Sequence, residues 1–171
     1  LEFRRVLFRS VTVRAPQTGA ERAFLMAHDP DPFARWEAGQ QYAADLMHEA
    51  TNQRRGGKKF DTGFADAVRD ILRDDKLDPA FAAEAMALPS EDFLAERMTI
   101  VDVDAIHGAR EALRQAIATE LRDDLLRVYQ ANRDTGPYSP DAGPAGRRAL
   151  KNAALGYLGA LAARDPALLK L

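Results

Sequence analysis

The chain has 171 residues, 46% hydrophobic and 29% charged, with a formal net charge of −2 and no cysteine. That is enough chain for one domain with a real core. The near-neutral charge gives no field drawing in nucleic acid or an anionic membrane, the missing cysteine excludes disulfides and thiolate metal sites, and no apolar run approaches the roughly 20 residues of a membrane span.

In chain order, residues 1–10 are set apart first. Leu1-Glu-Phe-Arg-Arg-Val-Leu-Phe-Arg-Ser10 lacks the apolar stretch of roughly 7–15 residues that a signal peptide needs. Its end resembles a translated sequencing-library adapter, so residues 1–10 are read as an artefact outside the fold. Val11-Thr-Val-Arg14 alternates apolar and polar residues and predicts a short strand, ended by Pro16 and Gly19. Glu21 to His28 predicts one or two helical turns. The stretch from Phe24 to Gln41, which holds the only tryptophan, Trp36, marks a change of class, because nearly everything after it reads as helix.

Asp31-Pro32 is a helix start: Asp accepts from free N–H groups of the first turn, and Pro fits the first helical position. Phe33, Trp36, Gln40, Ala43, Met47 and Ala50 then form one face to about Asn52, with Trp36 expected in the core. Arg54-Arg-Gly-Gly-Lys-Lys59 predicts a loop. Asp61 or Thr62 caps a second helix with Phe64, Val68, Ile71 and Leu72 inward. Asp78-Pro79 starts a third, with Phe81, Ala82, Ala85 and Met86 inward, and Pro89 ends it. Ser90 caps a short helix carrying Phe93, Leu94 and Met98. One long helix is predicted from Asp102 to about Ala131, with a stripe of Val103, Ile106, Leu113, Ile117, Leu121, Leu125 and Val128. Residues 132–144 form a loop, and a last helix covers about Gly146 to Ala163, with Leu150, Ala154, Tyr157, Leu158 and Leu161 inward. Antiparallel helices with short connections give a mainly α fold: a helix-pair solenoid of armadillo or HEAT type, or a bundle, with a residual strand near the N-terminus.

Little in this pattern carries chemistry. His48-Glu49-Ala-Thr-Asn52 is the nearest approach to the zinc-protease pattern H-E-x-x-H, which needs histidines at i and i+4 on one helix face. Asn52 stands where the second histidine belongs, and a neutral amide is a poor zinc ligand. His28 and His107 lack ligand spacing. The basic run 54–59 lacks the Walker spacing and interleaved aromatics, so it reads as a solvated loop. Asp74-Asp75 and Asp123-Asp124 lack calcium-loop spacing and read as helix ends or solvent faces. No catalytic, cofactor-binding or metal residue is assigned.

Several segments, in order, resemble the bacterial zinc aminopeptidase N family, of the gluzincin class. They are Phe24-Leu-Met-Ala-His-Asp-Pro-Asp-Pro-Phe-Ala-Arg-Trp-Glu-Ala-Gly-Gln40, Ala67-Val-Arg-Asp-Ile-Leu72, Asp78-Pro-Ala-Phe-Ala-Ala-Glu-Ala-Met-Ala-Leu-Pro-Ser90, Ile106-His-Gly-Ala-Arg110 running into Ala118-Thr-Glu-Leu121, Tyr129-Gln-Ala-Asn132, and Arg148-Ala-Leu-Lys-Asn-Ala-Ala-Leu155. The resemblance implies that residues 11–23 are the tail of a small β-sandwich domain and a linker. Residues 24–171 are then the first part of a C-terminal helical domain, truncated here. It implies zinc in the parent enzyme, peptide substrates, a cytoplasmic location and a catalytic domain upstream, with no nucleic acid or membrane partner. The family's zinc ligands, general-base glutamate and G-A-M-E-N motif have no counterpart in this sequence. The helical domain's implied role is to cover the active site and limit access to it. A stand-alone helical-repeat scaffold for a protein partner is the alternative. Because the chain stops in an apolar run, an exposed apolar surface is expected at its C-terminal end.

Overall fold

The structure, a computed structural model, describes residues 16–52, 60–134 and 136–171. The expected strand at 11–14, the presumed artefact 1–10 and the basic loop 54–59 lie outside the described residues. Among the described residues there are eight α-helices and a terminal 3-10 turn, Pro166–Lys170, and no strand.

The helices begin where short polar side chains can satisfy free backbone donors. In α1 (Gly19–His28), Thr18 and Glu21 form a reciprocal box: the Thr18 hydroxyl accepts the Glu21 N–H at 3.2 Å, and the Glu21 carboxylate accepts the Thr18 N–H at 2.8 Å. Asp31 accepts the Phe33 N–H at 2.9 Å at the start of α2 (Pro32–Asn52). Asp61 caps α3 (Thr62–Arg73), Asp78 caps α4 (Pro79–Ala85), Ser90 caps α5 (Glu91–Ala95) and Asp102 caps α6 (Val103–Glu120). Then follow α7 (Arg122–Ala131) and α8 (Ala142–Gly159).

Residue pairings give the arrangement. Arg22 of α1 pairs with Asp45 of α2, while Met26 lies against Gly39 and its carbonyl accepts from Arg35 at 3.0 Å. Position rises along one helix as it falls along the other, so α1 and α2 are antiparallel. A Cβ on Gly39 would stand 3.2 Å from the Met26 sulfur, so the bare backbone lets the two helices approach. Two other contacts run in parallel. Arg69 and Arg73 of α3 meet Glu120 and Asp124 in the same order, and Arg127 of α7 donates to the Leu72 carbonyl at 2.7 Å. Ala80 of α4 lies against Gly146 of α8, and Met86, just past α4, against Tyr157. The pair α3–α4 thus stacks on the pair α7–α8, the arrangement of an armadillo-type solenoid.

One continuous core runs through these layers, from Met26 in α1 through Met47, Val68, Ile71, Met86, Leu113, Ile117 and Leu125 to Leu158. The stripes expected for α3 and α8 are buried as a whole. Gln40 is the buried polar member of the α2 face, and its amide donates to the Ala87 carbonyl at 2.7 Å, which removes the cost of burying it.

Several expectations are corrected. The long helix breaks at Leu121, whose backbone (φ −109°, ψ 16°) leaves the helical region although no Pro or Gly is near. Leu121 stays buried there, so the bend lets α6 pack on α2 and α5 while α7 turns onto α3 and α8. The last helix starts at Ala142 rather than about Gly146, with Pro144 in its first turn, where a missing N–H costs nothing. Trp36 is half-buried rather than in the core, and Phe33, 67% exposed, leans on it at 5.8 Å between ring centroids. Val103 is likewise exposed. At the C-terminal end Leu158, Leu161 and Leu168 fold inward and Leu171 is exposed; other exposed large apolar side chains include Phe24, Phe33, Ile100, Val101 and Val103.

Candidate functional site

Between α3 and α6 the packing is incomplete. The two helices barely touch, and small side chains, Ala65, Ala112 and Ala116, stand where larger ones would close the seam. The result is an open groove of about 440 Å³. Its floor is the core itself: Phe64, Leu113 and Ile117, each almost wholly buried. Half-buried Phe60 lies at the start of α3, and polar groups, Asp61, Thr119, Glu120 and Arg164, stand at the edges.

The charges at the rim differ in how they are engaged. Asp61 accepts the Gly63 N–H at 3.0 Å and the Tyr42 hydroxyl at 2.7 Å. Those bonds hold its carboxyl below the usual range, the backbone donor most and the tyrosine second. Tyr42, in turn, is pushed up by burial and by the Asp61 carboxylate, so it remains a neutral phenol. Glu120 is paired with Arg69 at 3.1 Å. Arg164 is exposed and makes no side-chain hydrogen bond or ion pair with the described residues. The groove therefore combines an apolar floor, two acidic groups already satisfied and one available guanidinium.

The residues singled out in the sequence do not assemble. His48 is exposed on α2 beside a smaller recess of about 160 Å³ lined by Ala44, Asp45, Thr51, Leu94, Arg97 and Met98. The Thr51 hydroxyl donates to the His48 carbonyl at 2.8 Å, and Asn52 ends the helix. His28 packs edge-on against Phe24 at 5.0 Å, and His107 Nδ1 lies 2.8 Å from a Glu91 carboxylate oxygen. Among the described residues no three histidine, aspartate or glutamate side chains are grouped to hold a metal ion, so this donor set does not fit zinc.

Asp74 accepts the Lys76 N–H in a turn, as a helix-end aspartate should. Asp124 departs from the solvent-face reading: Arg73 reaches it at 2.9 and 3.0 Å, with Arg127 and Arg69 beyond, and it ties α7 to α3. Nothing in sequence links residues 51 positions apart, so this role was not readable there. The groove was not read either. Its one sequence trace is the alanine pair 112 and 116 beside Leu113 and Ile117, a small-residue notch on an apolar face. Among the described residues no helix is long and apolar enough to cross a membrane.

The profile described as "Domain of unknown function (DUF3458_C) ARM repeats" matches residues 19–170. The chain is 40% identical over 137 residues to aminopeptidase N of Escherichia coli (strain K12), covering 79% of this chain and 16% of that protein. It is 43% identical over 137 residues to aminopeptidase N of Caulobacter vibrioides, covering 78% of this chain and 15% of the relative. The chain thus spans about one sixth of the length of these relatives. In fold it is similar to the aminopeptidase A of Legionella pneumophila solved in complex with aspartic acid, with a TM-score of 0.76, 23% identity, and coverage of 88% of this chain and 18% of that one.

Proposed function

We propose a function from one premise: the chain belongs to the family of ARM-repeat domains named DUF3458_C, the helical stretch it shares with bacterial aminopeptidases N. On this reading it is the first part of the helical domain of a zinc-dependent aminopeptidase that removes N-terminal residues from peptides in the cytoplasm. Residues 11–23 were expected to be the end of a preceding β-sandwich domain and a linker; on this reading the junction falls before Gly19, where α1 and the matched helical domain begin. The hydrolytic groups and the zinc belong to an upstream catalytic domain. This stretch supplies shape: it covers the active site and restricts it to short peptides and flexible N-termini.

The observation that carries the reading is the identity of 40–43% across nearly four-fifths of the chain with two aminopeptidases N. Two exposed apolar places support a covering role. They are Phe33 beside half-buried Trp36, and the run Ile100, Val101 and Val103. Clustered exposure of this kind marks surfaces that another part of the protein covers.

The test is the upstream reading frame. It is expected to encode H-E-x-x-H with a glutamate ligand further on, and the whole protein is expected to hydrolyse alanyl-anilides in a chelator-sensitive way. A frame without those motifs would overturn the proposal and favour the stand-alone scaffold. Loosening the cover, by Val103→Asp and Ile100→Asp in the whole enzyme, is expected to raise cleavage of folded proteins relative to dipeptides. An unchanged ratio would count against the covering role.

A further inference from the structure

We propose that the groove between α3 and α6 binds the C-terminal end of a short apolar peptide, with Arg164 taking its carboxylate. The groove's length, lining and charge each restrict the occupant. From Ala112 to Glu120 the groove follows nine residues of α6, a rise of about 12 Å. That accommodates three or four residues of extended chain at about 3.3 Å each. The floor of Phe64, Leu113 and Ile117 offers no polar partner, so the side chains laid upon it must be apolar. A backbone in this position still needs donors and acceptors, and it can find them in solvent because the groove is open along its length.

Charge then selects the end of the peptide. Asp61 is held by Tyr42 and the Gly63 N–H, and Glu120 by Arg69, so neither demands a cation. Among the described lining residues Arg164 is the cation whose side chain has neither a counter-charge nor a hydrogen-bond partner; Asp61 also lacks a counter-charge, but its carboxylate is already occupied by two neutral donors. The planar fork of donors on Arg164 suits a carboxylate better than a single carbonyl. An internal peptide segment would leave that guanidinium unmatched, whereas a free C-terminus would complete it. The site goes beyond the proposed function and rests on it only for choosing a peptide over another apolar acid.

The test uses the full 171-residue chain, isotopically labelled, with amide shifts followed during titration. The probes are acetyl-Ala-Leu-Phe as the free acid, the same peptide as its C-terminal amide, and decanoate. The acid is expected to shift the amides of residues 60–65 and 112–120 and to bind roughly three- to tenfold tighter than the amide. Arg164→Gln is expected to abolish that preference, and Ala116→Leu, which fills the groove, to weaken both peptides at least tenfold. An unchanged pattern of untouched amide shifts would verify that each variant is folded. Equal affinity for acid and amide, shifts mapping elsewhere, a preference surviving Arg164→Gln, decanoate binding as tightly as the peptide acid, or no saturable shift up to about 10 mM would each overturn the proposal. None of these outcomes bears on the upstream reading frame, so the failure of one proposal is distinguishable from the failure of the other.

Discussion

Replacing Asp124 by Asn tests the contact between the stacked helix pairs. Asp124 stands in the first turn of α7 with 13% of its side chain exposed, and Arg73 of α3 grips both of its oxygens, at 2.9 and 3.0 Å. Arg127 and Arg69 follow at 3.7 and 3.8 Å. The Arg73 hydrogen bonds hold the Asp124 carboxyl below its ordinary range. Burial opposes them, and the Arg73, Arg127 and Arg69 charges add to the lowering. A hydrogen bond to a charged group contributes about 1.5–3 kcal/mol. Arg73 is 60% exposed, so solvent screening pulls each bond toward the value of a surface pair. Asn keeps one acceptor, and the expected loss is about 1–2 kcal/mol near neutral pH. The sign of the pH dependence follows from the lowered folded value. The stabilisation is complete above the unfolded carboxyl's value, about 3.9, and disappears as pH falls through the folded one. Urea unfolding of both proteins from neutral to acid pH is therefore expected to show a constant gap above about pH 5 that closes below about pH 4. A gap that is absent at neutral pH, or that stays the same into acid, would refute the reasoning. So would additivity of Asp124→Asn with Arg73→Ala, because two groups that share one bond must couple.

Tyr157→Phe is expected to cost about 1–2 kcal/mol by urea unfolding, because the buried Tyr157 hydroxyl donates to the Met86 carbonyl at 2.6 Å and its loss leaves that acceptor unpaired. Two glycines of α8 are expected to respond in opposite directions. Gly146→Val places a Cβ about 3.0 Å from the Ala80 backbone nitrogen and should destabilise by about 1–3 kcal/mol. Gly156→Ala meets open space and should stabilise by about 0.5–1 kcal/mol; equal thermal midpoints for the two variants would contradict the stacking of α4 on α8. Leu125→Ala, at a fully buried position, should cost about 2–5 kcal/mol in the same assay. The chain alone is expected neither to bind zinc stoichiometrically nor to cleave alanyl-anilides, as checked by equilibrium dialysis and a chelator-controlled activity assay.

Helix starts were the most legible part of this fold. Asp31, Asp61, Asp78, Ser90 and Asp102 each satisfy a donor two or three residues away, so the signal and its cause lie within one turn. The break at Leu121 was not legible, because the periodicity of Ile117, Leu121, Leu125 and Val128 continues unbroken through it. Only the different neighbours of α6 and α7 require the bend. Trp36 misled for a related reason: its spacing puts it on the inner face, but it stands one turn into α2, where nothing fully covers that face.

By itself the sequence determined the mainly α class, the capped starts, most of the buried stripes and the absence of a zinc-protease pattern, because each follows from residues within a few positions of one another. The resemblance to aminopeptidases N was carried in the same way, by short ordered segments. The tertiary structure decided how the helices stack, that Asp124 joins two layers, and that α3 and α6 stand apart over an apolar floor with Arg164 at its rim. These depend on groups from about 40 to 100 positions apart in the chain, and no local pattern fixes which of them meet.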